Sequence, residues 1–343
     1  MTNREIRFAI VGCGLMGERH AQILQATPGA RVTCIFDQDL ERARKVAGDL
    51  PVCKDYEEVL RREDVDAVVL ALPSFLHVPY GIEAARHGKH VVTEKPIALD
   101  VDSGRNLIDT CRAAHVLCAV ISQNRFADGN TALKRALVTG DFGKPVLVRG
   151  SVKWFRHDPY YTESDWRGRI SGEGGGVLMN QATHTLDLLL WMFGYPNAVC
   201  GLTANTRPVL ETEDVGVALF RFPGDIIGTF EATTSAYPGF AERVEVHGQQ
   251  ASCIVEKGEI IYWEHSAKLP KPNPPEFTPP TPNLEPRYVL FQRQYRNIIA
   301  AIQGEEELLV KPEEALAVVA VTRAIYENQA ETIPRPLTLT EPG

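Results

Sequence analysis

The chain has 343 residues, of which 44% are hydrophobic and 23% charged, and its formal net charge is -8. Its length is too great for one ordinary hydrophobic core, so we expect two domains with a globular composition. The acidic balance repels polyphosphate, which argues against a nucleic-acid partner. We also predict a cytoplasmic protein, because the N-terminal residues lead straight into a strand and no apolar run is long enough to cross a membrane.

The seven cysteines predict neither disulfides nor a metal centre. Their number is odd, no Cys-x-x-Cys pair occurs, and several of them lie in apolar runs. Buried, reduced thiols in a cytosolic protein are the simplest interpretation. No set of His, Cys and carboxylate residues has the spacing of metal ligands, so we predict no metal.

The first third of the chain alternates between two hydrophobic periods. Continuous apolar runs predict strands at residues 6–11, 32–36, 65–72, 91–93 and 116–121. Helical spacing predicts helices at about 15–24, 40–47, 75–87 and 103–114. Such an alternation requires a parallel sheet covered on both faces, so residues 1–124 are predicted to form a doubly wound α/β domain.

After Arg125 the pattern becomes that of an α+β domain, predicted to span residues 125–343. A strand at 146–154 and several strands joined by short turns between 198 and 255 predict a mostly antiparallel open sheet. Eight prolines between residues 270 and 286 predict a long surface excursion. Helices are predicted at about 131–137, from near Val177, at 289–303 and at 313–328, the last packing back towards the first domain.

A glycine pattern links the first predicted strand to the first helix. Gly12, Gly14 and Gly17 fit the spacing G-x-G-x-x-G. The first allows a tight turn, the second lets a pyrophosphate approach the backbone, and the third permits close packing of helix against strand. The helix that opens at Leu15 and Met16 offers unpaired N–H groups and a positive dipole end to phosphates. This turn is therefore predicted to bind a dinucleotide rather than to serve as a simple tight turn.

Asp37 bears on the choice of cofactor. It ends the second predicted strand, about 20 residues after the glycines, where a carboxylate accepts hydrogen bonds from the hydroxyls of the adenosine ribose. A carboxylate at that place repels a 2′-phosphate, so NAD(H) is the predicted cofactor and NADP(H) is less favoured. Arg42 and Arg44 lie nearby and soften this preference.

Short motifs are spread over nearly the whole chain. They are the glycine turn, Ala-Leu-Pro-Ser-x-x-His at 71–77, Thr-Glu-Lys-Pro at 93–96, Gln-Asn-Arg-Phe at 123–126, Trp-Arg at 166–167, the run from three glycines to His-Thr-Leu-Asp at 174–187 and Pro-Glu-Glu-Ala-Leu at 312–316. Together they resemble the Gfo/Idh/MocA family of sugar and polyol oxidoreductases. The resemblance implies an N-terminal Rossmann domain for the cofactor, carbohydrate binding against the second sheet, and a homodimer or homotetramer that covers the sheet's exposed face.

The resemblance also implies roles for single residues. Lys95 and His184 match the catalytic lysine and histidine of the family. Many polyol-oxidising relatives have an aspartate four residues before that histidine, whereas this chain has Asn180, which cannot take a proton, so inositol-type specificity is less expected. Contacts with the cofactor are predicted for Pro73, His77, Glu94 and Asn124. Contacts with the substrate are predicted for Asn180, Trp166, Arg167 and Asp187, and for Tyr161 because an aromatic face suits a sugar ring. Alternatively, Arg167 holds cofactor oxygens or lies on the surface.

The spacing of Asn180, His184 and Asp187 predicts that they line one face of a helix. Such a polar stripe is either a catalytic wall or a satisfied structural network in which Asp187 orients His184. The preceding glycine run and the matching lysine favour catalysis, and for Asp187 both interpretations stay open.

These residues suit the oxidation of an alcohol, which removes a hydroxyl proton as hydride leaves the same carbon. His184 is expected to take that proton while Lys95, its pKa lowered by burial, hydrogen-bonds the same oxygen; in reduction either residue supplies the proton. Alternatives are a keto-sugar reductase that uses NADPH, an enzyme that holds NAD permanently and cleaves a glycoside, and a dinucleotide-binding regulator without chemistry. The regulator is disfavoured because neither catalytic residue is missing.

Overall fold

The first sheet in the chain has five parallel strands, in a computed structural model that describes residues 4–282 and 284–329. Its strands are β1 (Ile6–Val11), β2 (Ala30–Phe36), β3 (Ala67–Leu70), β4 (His90–Thr93) and β5 (Cys118–Val120). They alternate with α1 (Leu15–Gln25), α2 (Leu40–Ala47), α3 (Tyr56–Arg61), α4 (His77–Arg86) and α5 (Val101–Ala113). The order β2-β1-β3-β4-β5 confirms the doubly wound α/β prediction and places the topological switch point between β1 and β3.

The apolar runs form strands because both faces of this sheet are buried. On β1, Phe8 and Ile10 enter one hydrophobic cluster, whereas Ala9 and Val11 enter the other. Strand side chains alternate between faces, so a strand buried on both sides must be apolar throughout. Helices α2, α3 and α5 begin at an aspartate cap; at α2 the Asp39 carboxylate accepts from the backbone N–H groups of Glu41 and Arg42.

The second sheet has seven strands in the order β12-β11-β10-β6-β9-β8-β7. Its strands are β6 (Pro145–Lys153), β7 (Ala198–Ala204), β8 (Val215–Phe222), β9 (Ile226–Thr233), β10 (Arg243–Gly248), β11 (Ala251–Glu256) and β12 (Glu259–His265). The accompanying helices are α6 (Asp128–Thr139), α7 (Pro159–Thr162), α8 (Ile170–Glu173), α9 (Thr183–Phe193), α10 (Val289–Ile302) and α11 (Pro312–Glu327). Every neighbouring pair is antiparallel except β6 with β9, which confirms the predicted mostly antiparallel open sheet.

The two faces of the second sheet differ in what covers them. On the inner face, Phe220 and Phe230 pack in one cluster with Leu186 and Leu189 of α9. On the outer face, Leu202, Val217, Leu219, Ile227 and Tyr262 remain exposed. No helix among residues 4–282 and 284–329 is long and apolar enough to cross a membrane.

The chain returns to the first domain after the second sheet. Between β12 and the single turn Pro286–Tyr288 the described residues form neither helix nor strand, as the eight prolines predicted. Helix α10 then packs onto the first sheet, where Tyr295 and Ile298 share a cluster with Phe8. Helix α11 reaches both domains, since Leu316 joins the first core and Ile325 the second.

One helix boundary in the predictions was wrong. The long helix expected to begin near Val177 is α9, which begins only at Thr183. The glycine-rich segment before it forms turns, because its backbone N–H groups bond elsewhere: Gly176 N and Leu178 N donate to the Glu213 carboxylate at 2.8 and 3.0 Å. Glu213 lies between β7 and β8, so no local pattern revealed this contact.

Candidate active site

A cleft of about 710 Å³ lies where the carboxyl ends of the parallel strands face the second domain. This size is that of an ordinary ligand pocket, and in doubly wound sheets ligands bind at this edge. Most of its lining residues lie just after strands β1 to β6 or in the segment that leads from β6 to α9. Among them are Gly12, Gly14, Leu15, Met16, Asp37, Pro73, Glu94, Lys95, Gln123, Trp154, Arg156, Tyr160, Trp166, Arg167, Asn180, Gln181 and His184.

The glycine turn has the geometry that a pyrophosphate site needs. Gly12 has a φ of +95°, and a Cβ there would lie 2.5 Å from the Ala71 carbonyl oxygen. A Cβ on Gly17 would lie 1.8 Å from the Gly12 carbonyl oxygen, so only glycine lets α1 approach β1 so closely. A Cβ on Gly14 would have no other atom of the described residues within 4 Å, so the backbone of this glycine is open to the cleft. These three observations match the separate reasons for each glycine.

Asp37 is held at one end of the cleft by backbone groups. Its Oδ2 accepts from Cys13 N at 2.7 Å and its Oδ1 from Asp39 N at 2.8 Å. Arg42 Nη1 lies 3.9 Å from Oδ1. A carboxylate has about four acceptor positions, so a fixed Asp37 still has capacity for ribose hydroxyls.

Glu94 is positioned by a buried chain of hydrogen bonds from three elements. Its Oε1 lies 3.0 Å from Nε2 of His20, whose Nδ1 lies 2.8 Å from the Tyr295 hydroxyl. Burial alone raises the pKa of Glu94, but His20 and the charge of Lys95 lower that pKa to about 2. Glu94 therefore stays ionised beside Lys95 although it is buried, because its hydrogen bond to His20 and the charge of Lys95 outweigh the cost of burial.

Lys95 and Asn180 form the contact that joins the two domains inside the cleft. The Lys95 ammonium donates to the backbone oxygen of Asn180 at 3.1 Å and to its side-chain Oδ1 at 2.8 Å. The amide nitrogen of Asn180 in turn donates to the buried carboxylate of Glu173. Burial lowers the pKa of Lys95, whereas the charges of Glu94 and Glu173 raise it. The Glu173 carboxylate therefore raises the pKa of Lys95 from behind Asn180. The family resemblance did not indicate this residue.

His184 occupies the first turn of α9 and lines the same cleft. Its Nδ1 is buried and has no hydrogen-bond partner among the residues that the structure describes. Burial, and then the positive charge of Lys95, lower the pKa of His184 to about 3. The imidazole is therefore neutral at physiological pH.

The structure corrects the predicted helix face. Asn180 lies in the turn before α9, and only His184 and Asp187 are helical. Asp187 does not line the cleft, because both its oxygens accept from the buried Arg125 guanidinium, at 2.6 and 2.8 Å. Of the two interpretations left open for Asp187, this ion pair favours the structural one, with Arg125 and not His184 as the partner.

Three further predicted contact residues also lie outside the cleft. His77 is buried, with its ring nitrogens 2.7 Å from the Pro96 oxygen and 2.9 Å from the Leu72 oxygen, so it shapes the backbone. Tyr161 donates its hydroxyl to Thr234 Oγ1 at 2.8 Å. Asn124 lines a separate small cavity. In each case the neighbouring residue in the chain, or the backbone that the side chain holds, faces the cleft instead.

Several cleft residues were missed by the sequence analysis. Trp154 is the last residue of the predicted strand at 146–154 and Arg156 follows two residues later, so the rule that sites form at the carboxyl ends of strands could have found them. Glu173, which does not line the cleft itself, had no such signal, because its carboxylate contacts the site through Asn180.

Replacement of Glu173 by glutamine is expected to shift the pH dependence of activity. Removing this negative charge makes the protonated form of Lys95 less favourable, so the pKa of Lys95 falls further. In alcohol oxidation the rising limb of kcat/KM against pH should move to lower pH, by on the order of one unit. The measurement is a pH–rate profile beside Glu163→Gln, which alters an exposed carboxylate of the same segment. A profile identical to that of the unmodified protein would contradict the coupling.

Comparison with known proteins places the chain in one family. Residues 6–122 match the family model described as an oxidoreductase family with an NAD-binding Rossmann fold, and residues 130–254 match the GFO/IDH/MocA C-terminal domain. Inositol 2-dehydrogenase of Rubrobacter xylanophilus is 30% identical over 263 residues, which cover 74% of this chain and 72% of that protein. scyllo-Inositol 2-dehydrogenase (NAD(+)) of Bacillus subtilis is 28% identical over 262 residues, with coverage of 73% and 74%.

Among solved structures, the WlbA dehydrogenase from Bordetella pertussis in complex with NADH and UDP-GlcNAcA is similar over 96% of both chains. It has a TM-score of 0.84 and 30% sequence identity. The motifs, both sheets and these matches agree, and the chain belongs to the GFO/IDH/MocA family of oxidoreductases.

Proposed function

We propose that this protein transfers a hydride between NAD(H) and a secondary alcohol or ketone carbon of a sugar, anhydrosugar or polyol. The observation that carries the proposal is the presence of Lys95 and His184 in one cleft with the glycine turn and Asp37. Relatives named as inositol 2-dehydrogenases, and the WlbA structure with NADH bound, support a carbohydrate-like substrate and this cofactor.

The described residues fit a bound dinucleotide. The open backbone at Gly14 suits the pyrophosphate, and Asp37 suits the adenosine ribose. Pro73, Glu94 and Lys95 line the middle and inner parts of the same cleft, where the nicotinamide half belongs. When bound, the oxidised cofactor supplies the hydride acceptor and the reduced cofactor the donor.

We assign the proton transfer to Lys95. Burial lowers its pKa, so the neutral amine becomes available as a base, and its contacts with Asn180 hold it in place. With a pKa of about 3, His184 is a weak base at neutral pH. Because its Nδ1 is sealed without an acceptor, the tautomer with the proton on Nε2 is favoured, and Nε2 can donate to the substrate oxygen. The sequence analysis expected the opposite, with His184 as the base and Lys95 as the hydrogen-bond donor to the substrate oxygen.

Replacement of Asp37 by asparagine is expected to shift cofactor preference from NAD⁺ towards NADP⁺ by about tenfold. The variant loses the negative charge that repels a 2′-phosphate. Arg42, whose Nη1 lies 3.9 Å from Asp37 Oδ1, remains beside the site. The measurement is kcat/KM for both cofactors. Arg42→Gln in the Asp37→Asn background should cancel the gain, and an unchanged preference in Asp37→Asn would contradict the assignment of this residue to the ribose.

The function itself is tested by turnover. Purified protein is mixed with NAD⁺ or NADP⁺ and with sugars, anhydrosugars and polyols, while absorbance of the reduced cofactor is followed. Turnover with NAD⁺ on one class is the expected result. If NADH binds but no alcohol reacts, the keto-sugar reductase becomes the better proposal. If NADH does not bind, the argument from Gly12, Gly14, Gly17 and Asp37 fails.

Two proposals concern organisation. We infer that residues 1–124 bind the cofactor, and that residues 125–343 bind the substrate and mediate assembly. A homodimer or homotetramer would cover the exposed apolar side chains on the outer face of the second sheet, such as Leu202, Leu219 and Ile227. Sedimentation equilibrium would measure this state.

A further inference from the structure

One wall of the cleft carries two arginines stacked on three aromatic rings. We call Trp154, Arg156, Tyr160, Trp166 and Arg167 the arginine–aromatic wall; all five line the cleft. The Arg156 guanidinium carbon lies 4.9 Å from the centre of the Trp154 ring and 5.5 Å from that of Tyr160. The Arg167 guanidinium carbon lies 4.6 Å from the Tyr160 ring centre and 5.3 Å from that of Trp166. Tyr160 therefore contacts both cations.

Neither arginine of this wall forms an ion pair within 4 Å with a carboxylate of the described residues. Arg156 and Arg167 make only long contacts of 3.5 Å, to the backbone oxygens of Phe155 and Tyr160. Other arginines near the same segment are paired, as Arg169 is with Glu211 at 2.7 Å. Stacking orients a guanidinium without cancelling its charge, so the hydrogen-bond donors of Arg156 and Arg167 remain available.

The charge balance at this end of the cleft is positive, although the whole chain has a net charge of -8. Arg156 and Arg167 line it, and of the two carboxylates that line the cleft among the described residues, Asp37 lies beside the glycine turn and Glu94 is bonded to His20. Glu173 is buried behind Asn180 and does not line the cleft. Like charges in one partly desolvated site repel each other, so a ligand that brings negative charge is favoured there.

From this wall we infer that the substrate carries an oxyanion group, a carboxylate or a phosphate, which Arg156 and Arg167 bind while Lys95 and His184 face the reacting carbon. The inference rests on the proposed function and narrows its substrate class to acidic sugars. A planar guanidinium donates two parallel hydrogen bonds to such a group, and a neutral hydroxyl cannot use them in this way. The wall belongs to the second domain, whereas the glycine turn and Asp37 belong to the first, so cofactor phosphate is not its expected partner.

The test uses matched sugars that differ only in the acidic group. Glucose, glucuronate and glucose 6-phosphate, with the corresponding galactose set, are titrated into the protein with and without NADH, and binding is measured by calorimetry. We expect at least about tenfold tighter binding of one acidic member than of its neutral parent, and loss of that difference in Arg156→Gln and Arg167→Gln. Preference for the uronate identifies a carboxylate, and preference for the 6-phosphate identifies a phosphate.

Arg169→Gln is the matched control, because this arginine lies in the same segment and is paired on the surface; its binding should equal that of the unmodified protein. Equal or tighter binding of the neutral sugars would overturn the inference. So would an acidic preference that survives both substitutions, or a loss of NADH affinity alone in Arg167→Gln, which would assign that guanidinium to the cofactor. Because binding is read without turnover, failure of the proposed oxidation is detected separately, by the cofactor assay.

Discussion

Replacement of Lys95 by alanine is expected to lower kcat for alcohol oxidation by about 100- to 10,000-fold, the range that general acid–base catalysis contributes. The variant loses the amine that burial prepares for proton transfer, and it also loses the contact with Asn180 that closes the cleft between the two domains. Steady-state rates under saturating NAD⁺ and substrate measure the effect, and the affinity for NADH, read from its fluorescence, should be unchanged.

Two variants make the result specific. Lys95→Met keeps the apolar length of the side chain, so a loss equal to that in Lys95→Ala assigns the effect to the amine and not to a cavity. Lys54→Ala removes an exposed lysine of the first domain and should have normal activity. Turnover close to normal in both Lys95 variants would exclude this residue as the acid–base group and would favour His184 in that role.

Replacement of Asp187 by alanine is expected to lower the free energy of unfolding by about 3–5 kcal/mol, the cost of removing one partner of a buried ion pair. Arg125 is fully buried, and its guanidinium donates two hydrogen bonds to Asp187 and one to Glu314. This network joins the segment after β5 to α9 and α11, so its loss weakens the junction of the two domains. Urea denaturation followed by circular dichroism measures the change.

The double variant Arg125→Met, Asp187→Leu should recover much of that loss, because it leaves no unpaired charge in the core. Arg105→Ala is the control: its exposed pair with Asp102 should contribute less than about 1 kcal/mol. Equal stability of Asp187→Ala and the unmodified protein would mean that the ion pair contributes little, and a large rise in KM without any loss of stability would restore Asp187 as a substrate residue.

The position of the cofactor cleft was predictable because its residues are local in sequence. Gly12, Gly14 and Gly17 lie in one turn, and Asp37, Pro73 and Lys95 each follow the carboxyl end of a predicted strand. Parallel strands bring these ends to one edge of the sheet, so their order along the chain places them together. The apolar periods predicted the strands and therefore this edge.

The second-domain half of the site depended on tertiary contacts. The expected helix face at Asn180, His184 and Asp187 failed because Glu213, between two distant strands, takes the backbone N–H groups of the glycine-rich turn. Helical spacing describes only residues that are helical, and it does not say which buried partner a side chain meets. Asp187 is an example, because its carboxylate pairs with the buried Arg125 and does not line the cleft.

The amino-acid sequence by itself was sufficient for the family, for both sheets and for the location of Lys95 and His184 in one cleft, because periodicity and motifs are properties of neighbouring residues. Tertiary structure alone decided the charge state and environment of that pair: burial lowers both pKa values, Glu173 acts on Lys95 through Asn180, and Arg156 and Arg167 stay without carboxylate partners in the described chain. Burial and charge pairing depend on which segments meet in space, and that information is distributed over the whole fold.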